Sequence, residues 1–282
     1  MFRFLSSKLH EKKDDYGFWE HVDVLRAYLI RVVLVFVVFS FAAFFFKTFL
    51  FDTIIIGPLH KEFVTYGWFC DLGKWLNLDS FCFESVPIKL INIDLGGQFR
   101  WHMIISCMAG FSITFPYMMW QIWLFIKPAL TSKEKRSSRG IIASINFLFF
   151  TGLLFGYYII LPLSVIFLAN YELSPMISNQ ITISSYISTT VMLPLSTGIV
   201  FELPVMVYFL TYTGLLTPRF LKKNRKYAVV IIMLIAGIIT PTTDMFTQTI
   251  VAVPLYALYE ISIAASGWVH KKINAGEDAI PE

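Results

Sequence analysis

The sequence predicts an all-α integral membrane protein with six transmembrane helices and both termini on the cytoplasmic side. Three observations carry that prediction. The residues AVILMFWYC make up 56% of the 282 and charged residues only 15%, against a soluble norm of roughly 45–50% and 25%. That leaves too little charge to clothe a water-facing surface, so the apolar excess must face lipid. The apolar residues also fall into long runs, several of them meeting the roughly 20 residues a helix needs to cross a hydrocarbon core of about 30 Å. Finally, lysines and arginines cluster in alternate connections between those runs, where cytoplasmic loops place them. The net charge of +4 is therefore a topology signal rather than the footprint of a nucleic-acid partner.

The opening 24 residues are mostly polar, with Lys8, Lys12 and Lys13. No small-residue cleavage site follows the first apolar run, so no removable signal peptide is expected. The first span is read at 25–46. Residues 48–100 form an external loop of mixed charge whose Gly57-Pro58, Gly73 and Gly96-Gly97 punctuate short interfacial helices. Cys70 and Cys82 both lie there, and a disulfide or two thiols are equally open readings. The second span, 101–126, holds Cys107, read as a small buried apolar residue. It is followed by Lys127, Lys133, Lys135, Arg136 and Arg139 on the cytoplasmic side. The third and fourth spans, 141–169 and 184–216, have no basic residue between them. Arg219, Lys222, Lys223, Arg225 and Lys226 follow the fourth.

The last two stretches, 227–240 and 246–265, are shorter, and the first of them rises only about 21 Å. The second carries Gln248, Pro254 and Glu260. Loop charge leaves two full spans and one re-entrant hairpin both open, because neither changes the orientation of the ends. Lys271 and Lys272 then mark residues 267–282 as a cytoplasmic tail, expected to be disordered.

Glu202 lies deep in the fourth span, where an acid costs on the order of 3 kcal/mol or more. Pro204 cannot donate to the helix ladder, and Pro194 and Gly198 loosen the preceding turns, so a kink is expected. Either Glu202 faces a wet or protein-lined cavity with a functional role, or it is protonated and glues one span to another. Glu260 sits nearer the cytoplasmic end and reads as an acid reaching the interface. Glu20 and Asp23 precede span one. Glu134 stands among five basic residues, where a carboxylate is ordinarily a solvated partner. The five histidines are scattered, and neither a metal-ligand spacing nor a phosphate-binding glycine loop is present, so no cofactor and no enzyme activity is expected. From the residues alone, Glu202 and the mid-membrane prolines would also suit a proton-coupled secondary transporter of a small solute. A structural anchor for a larger complex is a third reading.

Three blocks change that balance: FPYMMWQIWLFIKPAL from Phe115 to Leu130 with KEKR from Lys133, FELP from Phe201, and TPTTDMFTQT from Thr240. In this order and spacing the chain resembles the TatC family, the large membrane subunit of the twin-arginine protein translocase. The resemblance implies a curved, glove-like bundle with short fifth and sixth helices in the inner membrane. The implied function is reception of signal peptides with two consecutive arginines and transport of folded precursor proteins driven by the proton-motive force. It implies a signal-peptide site at Asp23, Phe125 and Glu134, with Glu20 and Gln121 as further candidates. An arginine fork pairs with carboxylates through two parallel hydrogen bonds. The family usually has HLxELR before span one, where this chain has HVDVLR from His21. Its acid, Asp23, therefore comes one residue earlier, turned by about 100° on a helix. The resemblance also points to Glu202, Gln248, Asp244 and Glu260 as intramembrane polar or partner contacts, and to Pro58 and Pro204 as structural prolines. The implied partners are single-span TatA and TatB-type subunits in a multimeric complex, and membrane lipid.

Overall fold

A computed structural model describes residues 18–60, 62–76, 89–129, 139–171, 174, 179–240 and 245–277. Helix α1 (Phe18–Phe45) is an uninterrupted run without Gly or Pro. It packs along α3 (Gly97–Ile126), and its outer residues Val33, Leu34, Val38, Phe41 and Phe45 are exposed, as a lipid-facing surface requires. The third apolar stretch is one long rod made of α4 (Arg139–Phe155), a π-helical turn at Gly156–Ile160, and α5 (Leu161–Asn170). The fourth is split into α6 (Ile183–Val200) and α7 (Leu203–Tyr212). A left-handed Gly214 with φ 77° follows α7. Short α8 (Pro218–Lys223) leads into α9 (Arg225–Ile239) and then α10 (Met245–Glu277).

The chain is thus an all-helical, multi-span membrane protein. Among the described residues, five helices are long and apolar enough to cross a bilayer: Val22–Phe45, Gly97–Ile126, Gly140–Asn170, Ile183–Tyr212 and Thr247–Lys271. Helix α9 is apolar but has 15 residues, a rise of about 22 Å. The sixth stretch is not short. Helix α10 has 33 residues and continues helical through 267–277, where a disordered tail was expected. The continuation has a packing reason. Ser266 is fully buried and its hydroxyl pairs with that of Thr211 at 2.8 Å, while Val269 is 2% exposed. A second correction concerns Cys107, which is a free thiol on the exposed side of α3 rather than a buried one.

One end of the bundle is closed by a folded-over segment: a π-helical turn (Phe49–Ile55), a 3-10 turn (Gly57–Leu59) with buried Pro58, and α2 (Val64–Leu76). Its irregular backbone leaves carbonyls without helical partners, and hydroxyls from distant elements satisfy them. Tyr157 donates to the carbonyl of Ile54 at 2.7 Å, Tyr186 to that of Ile55 at 2.7 Å, and Tyr66 to that of Pro58. Burial pushes the Tyr66 phenol up, which keeps it a donor. The exchange also runs the other way. Pro162 has no N–H to return to Tyr158, and Thr65 donates its hydroxyl to that carbonyl at 2.6 Å instead. A single bridge ties Ile91 to the start of α6, with Ile91 N–H to Ile181 at 3.1 Å and Ile183 N–H to Ile91 at 2.9 Å. Cys70 in α2 is disulfide-bonded; Cys82 lies outside the described residues.

The core lies between the α4–α5 rod, α6, α9 and α10, with Ile160, Leu161, Ile187, Leu193, Ala236, Val251 and Leu255 almost fully buried. The rod approaches α6 backbone to backbone. A Cβ on Gly152 would fall 2.6 Å from the Phe201 ring, and one on Gly156 would fall 2.7 Å from Pro194 Cα. Small residues four apart are how membrane helices gain close van der Waals contact without a hydrophobic driving force between them.

Candidate functional site

At the end of the bundle opposite the folded-over cap, α3 returns to the start of α1. Phe125 sits in the last turn of α3 and meets Tyr28 of α1 edge to face, with ring centroids 6.4 Å apart. The Arg31 guanidinium lies over the other part of that contact, 5.4 Å from the Tyr28 ring centre. Asp23 is five residues upstream of Tyr28, is exposed, and forms no ion pair among the described residues. Glu20 lies in the first turn of the same helix, three residues before Asp23; its side chain lies outside the described residues. Glu134 also lies outside them. The structure therefore brings Phe125 to the helix that bears Asp23.

Gln121 stands one turn below Phe125 on the same side of α3. It is 6% exposed, and its side-chain oxygen is buried with no hydrogen-bond partner. Three other side chains share that condition near the α3–α4–α6 seam: Thr114, Asn146 and Glu202 each keep a buried oxygen without a partner. The seam itself is aromatic, with Phe115 stacked on Phe149 at 3.6 Å and Phe201 tilted against Phe155 at 5.6 Å. An unsatisfied buried acceptor costs about 1–3 kcal/mol, so several in one region mark a surface that gains by meeting donors. Sequence reasoning singled out Gln121 and Glu202 but passed over Asn146. The signal was available, because Asn146 is the one carboxamide in the apolar run of α4.

Glu202 occupies the break between α6 and α7. Its N–H bonds Ile199 at 3.1 Å in a tightened turn, and its carbonyl accepts from both Val205 and Met206 at 3.0 Å. Pro204, in the first turn of α7, has no N–H to continue the ladder. The break thus follows from the sequence around Glu202, and it leaves the acid half-buried between helices rather than on a smooth lipid face.

Gln248 and Glu260 make contacts within the chain. Gln248 donates to the Met233 carbonyl at 2.8 Å, and Gly237 leaves room for its amide. Glu260 pairs with Arg225 at 2.7 Å and accepts from Tyr256 at 3.1 Å, while Tyr259 donates to Leu221 at 2.8 Å. Short α9 is therefore pinned to α10 by polar contacts at its first residue, Arg225, and past its middle, at Met233. Asp244 lies outside the described residues. Pro58 is buried under the tyrosine-closed cap, far from Phe125. No group of three His, Cys, Asp or Glu side chains among the described residues is placed to hold a metal ion.

Residues 20–254 match the family model described as Sec-independent protein translocase protein (TatC). A Sec-independent protein translocase protein TatC of Blattabacterium sp. subsp. Periplaneta americana is 38% identical over 266 residues, covering 94% of this chain and all of that protein. One from Aquifex aeolicus is 41% identical over 160 residues, 56% of this chain and 66% of its own length. Among solved structures, a crystal structure of a twin-arginine translocase receptor, TatC, superposes with a TM-score of 0.70 at 33% identity, covering 89% of this chain and 100% of the other.

Proposed function

Because this chain belongs to the TatC family of Sec-independent protein translocase proteins, we propose that it is the subunit that receives twin-arginine signal peptides and passes folded precursors across the inner membrane. The observation that supports this reading most directly is the packing of Phe125, one turn from buried Gln121, on Tyr28 of α1, the helix whose exposed start bears Asp23. A twin-arginine pair needs carboxylates held in a fixed arrangement and an aromatic or apolar wall for the stems of its side chains. Asp23, Glu20 and Glu134 supply the acids, and Phe125 and Tyr28 supply the wall.

In this reading the chain crosses the membrane six times, with α9 counted as a short fifth span. Both termini are cytoplasmic, and the bundle is a curved, glove-like shell. The short α9 is accommodated by local thinning of the bilayer, which lowers the barrier to a passing protein. Glu202, Gln121 and Asn146 lie on a polar side within the membrane, and transport draws on the proton-motive force. The outer part of α9–α10, with Gln248 and Asp244, takes single-span TatA or TatB-type subunits in a multimeric complex. Solute transport, inferred from Glu202 and the mid-membrane prolines, gives way to family membership.

The test is site-specific crosslinking of a twin-arginine precursor to the full-length chain in membranes. Asp23→Ala and Glu134→Ala should each cut crosslink yield several-fold, while Glu260→Ala should leave it near wild type. Unchanged yield in both Asp23→Ala and Glu134→Ala overturns the site.

A further inference from the structure

The cap end carries a second pocket that the twin-arginine reading does not use. It has a volume of about 420 Å³ and is lined by Lys47, Asp52, Gln98, His102, Phe51 and Phe99 among others. That is within the roughly 300–1,000 Å³ typical of small-molecule sites. Its level in the membrane follows from the helices that form it. Lys47 comes two residues after the span Val22–Phe45 ends, and Gln98 and Phe99 open the span Gly97–Ile126. The pocket therefore lies at the boundary between hydrocarbon and water.

Two features give it a ligand chemistry. Lys47 and Asp52 line the same pocket, yet among the described residues neither forms an ion pair, with the other or with a third group. Opposite charges facing one space without closing on each other leave room for a molecule that carries both. The second feature is the setting. His102 is held in place, stacked on Phe44 at 4.1 Å with a ring nitrogen 3.1 Å from the Phe44 carbonyl. Phe99 of the lining is 64% exposed and meets Phe44 edge to face at 6.5 Å, and Phe44 in turn meets Phe45, 70% exposed, at 6.3 Å, which continues the pocket into an apolar track of acyl-chain character.

We propose that this pocket is a binding site for the headgroup of a zwitterionic phospholipid with a primary ammonium, phosphatidylethanolamine in type. Lys47 meets the phosphate and Asp52 the ammonium. Gln98 has both donors and an acceptor to bridge them. The acyl chains run along Phe45 and Phe99. An anionic headgroup without an ammonium meets Lys47 but is repelled by Asp52, and a quaternary ammonium has no N–H to donate to Asp52.

Native mass spectrometry of the full-length chain in detergent tests this, with phosphatidylethanolamine and phosphatidylglycerol of identical acyl chains supplied in equal amounts. Wild type should retain one phosphatidylethanolamine in preference to phosphatidylglycerol. Asp52→Asn should lose the preference by about fivefold without lowering phosphatidylglycerol retention, and Lys47→Met should lower retention of both lipids by about fivefold, the scale of one interfacial charge. Both side chains are exposed, so melting temperatures should match wild type. If either variant melts early, Lys47→Arg and Asp52→Glu, which keep the charges, must restore the wild-type lipid pattern. Equal retention of the two lipids by wild type, or unchanged preference in Asp52→Asn, overturns the proposal. So does displacement of the retained lipid by millimolar inorganic phosphate, which would make the pocket a simple anion site.

Discussion

Replacing Gly156 by Ala should separate two helices that now touch backbone to backbone. The new Cβ would stand 2.7 Å from Pro194 Cα and 3.2 Å from both Cβ and Oγ1 of Thr197. Comfortable carbon contacts lie near 3.5–4.0 Å, so the π-helical turn and α6 must part by about 1 Å. The nearest atom belongs to the backbone, so no side-chain rotation relieves the clash. Overpacking of this kind costs about 1–3 kcal/mol. The change also carries a gain, because Ala is about 1 kcal/mol better than Gly inside a helix. Gly267 provides the control, since it lies within α10 with nothing within 4 Å of an added Cβ. The difference between Gly156→Ala and Gly267→Ala then isolates the packing cost, roughly 2–5 °C in melting temperature for a chain of this size. Thermal unfolding of both variants in one detergent at one scan rate measures it, because membrane-protein melting is commonly irreversible. If Gly156→Ala melts at or above Gly267→Ala, the close approach of the rod to α6 is not a tight contact and the reasoning fails.

Two further outcomes follow from the hydroxyl and carboxyl groups. Tyr186→Phe removes the donor to the Ile55 carbonyl in a site where Tyr186 is 3% exposed, and it should destabilise the chain by about 1–3 kcal/mol, read as a lowered melting temperature. An unchanged melt would mean that the carbonyl finds another donor. Glu202→Leu removes a buried oxygen that has no partner, so it should hold or raise thermal stability while lowering export of a twin-arginine precursor. That combination is expected where a polar group is kept for function at a cost in stability. A variant that loses stability and keeps export would instead mark Glu202 as structural glue.

How much of this was legible without coordinates depends on the range of the interaction. The break at Glu202 could be read from Pro204 alone, because a missing N–H is a local fact. The length of α10 could not. Its continuation past 265 depends on Ser266 meeting Thr211 and on the burial of Val269, contacts across 55 residues in the first case. The candidate signal-peptide site divides along the same line. Phe125 and Asp23 were chosen from a family resemblance, and the approach of Phe125 to α1 is a tertiary fact, because the aromatic contact joins residues 28 and 125. Asn146 carried a readable signal that went unused.

By itself the sequence determined the class of the molecule: the scarcity of charge and the long apolar runs admit lipid as solvent and the helix as the spanning unit, since a helix satisfies its own backbone in hydrocarbon. Only the tertiary structure decided how the irregular parts are held. Tyr157 and Tyr186 close the carbonyls of Ile54 and Ile55 across 103 and 131 residues, and Thr65 replaces the donor that Pro162 lacks. Such pairings have no sequence period, because a hydroxyl finds a carbonyl by position in space and not by spacing along the chain. For the same reason an unpaired lysine and aspartate beside span one became a shared pocket only when α3 and the start of α6 were placed against them.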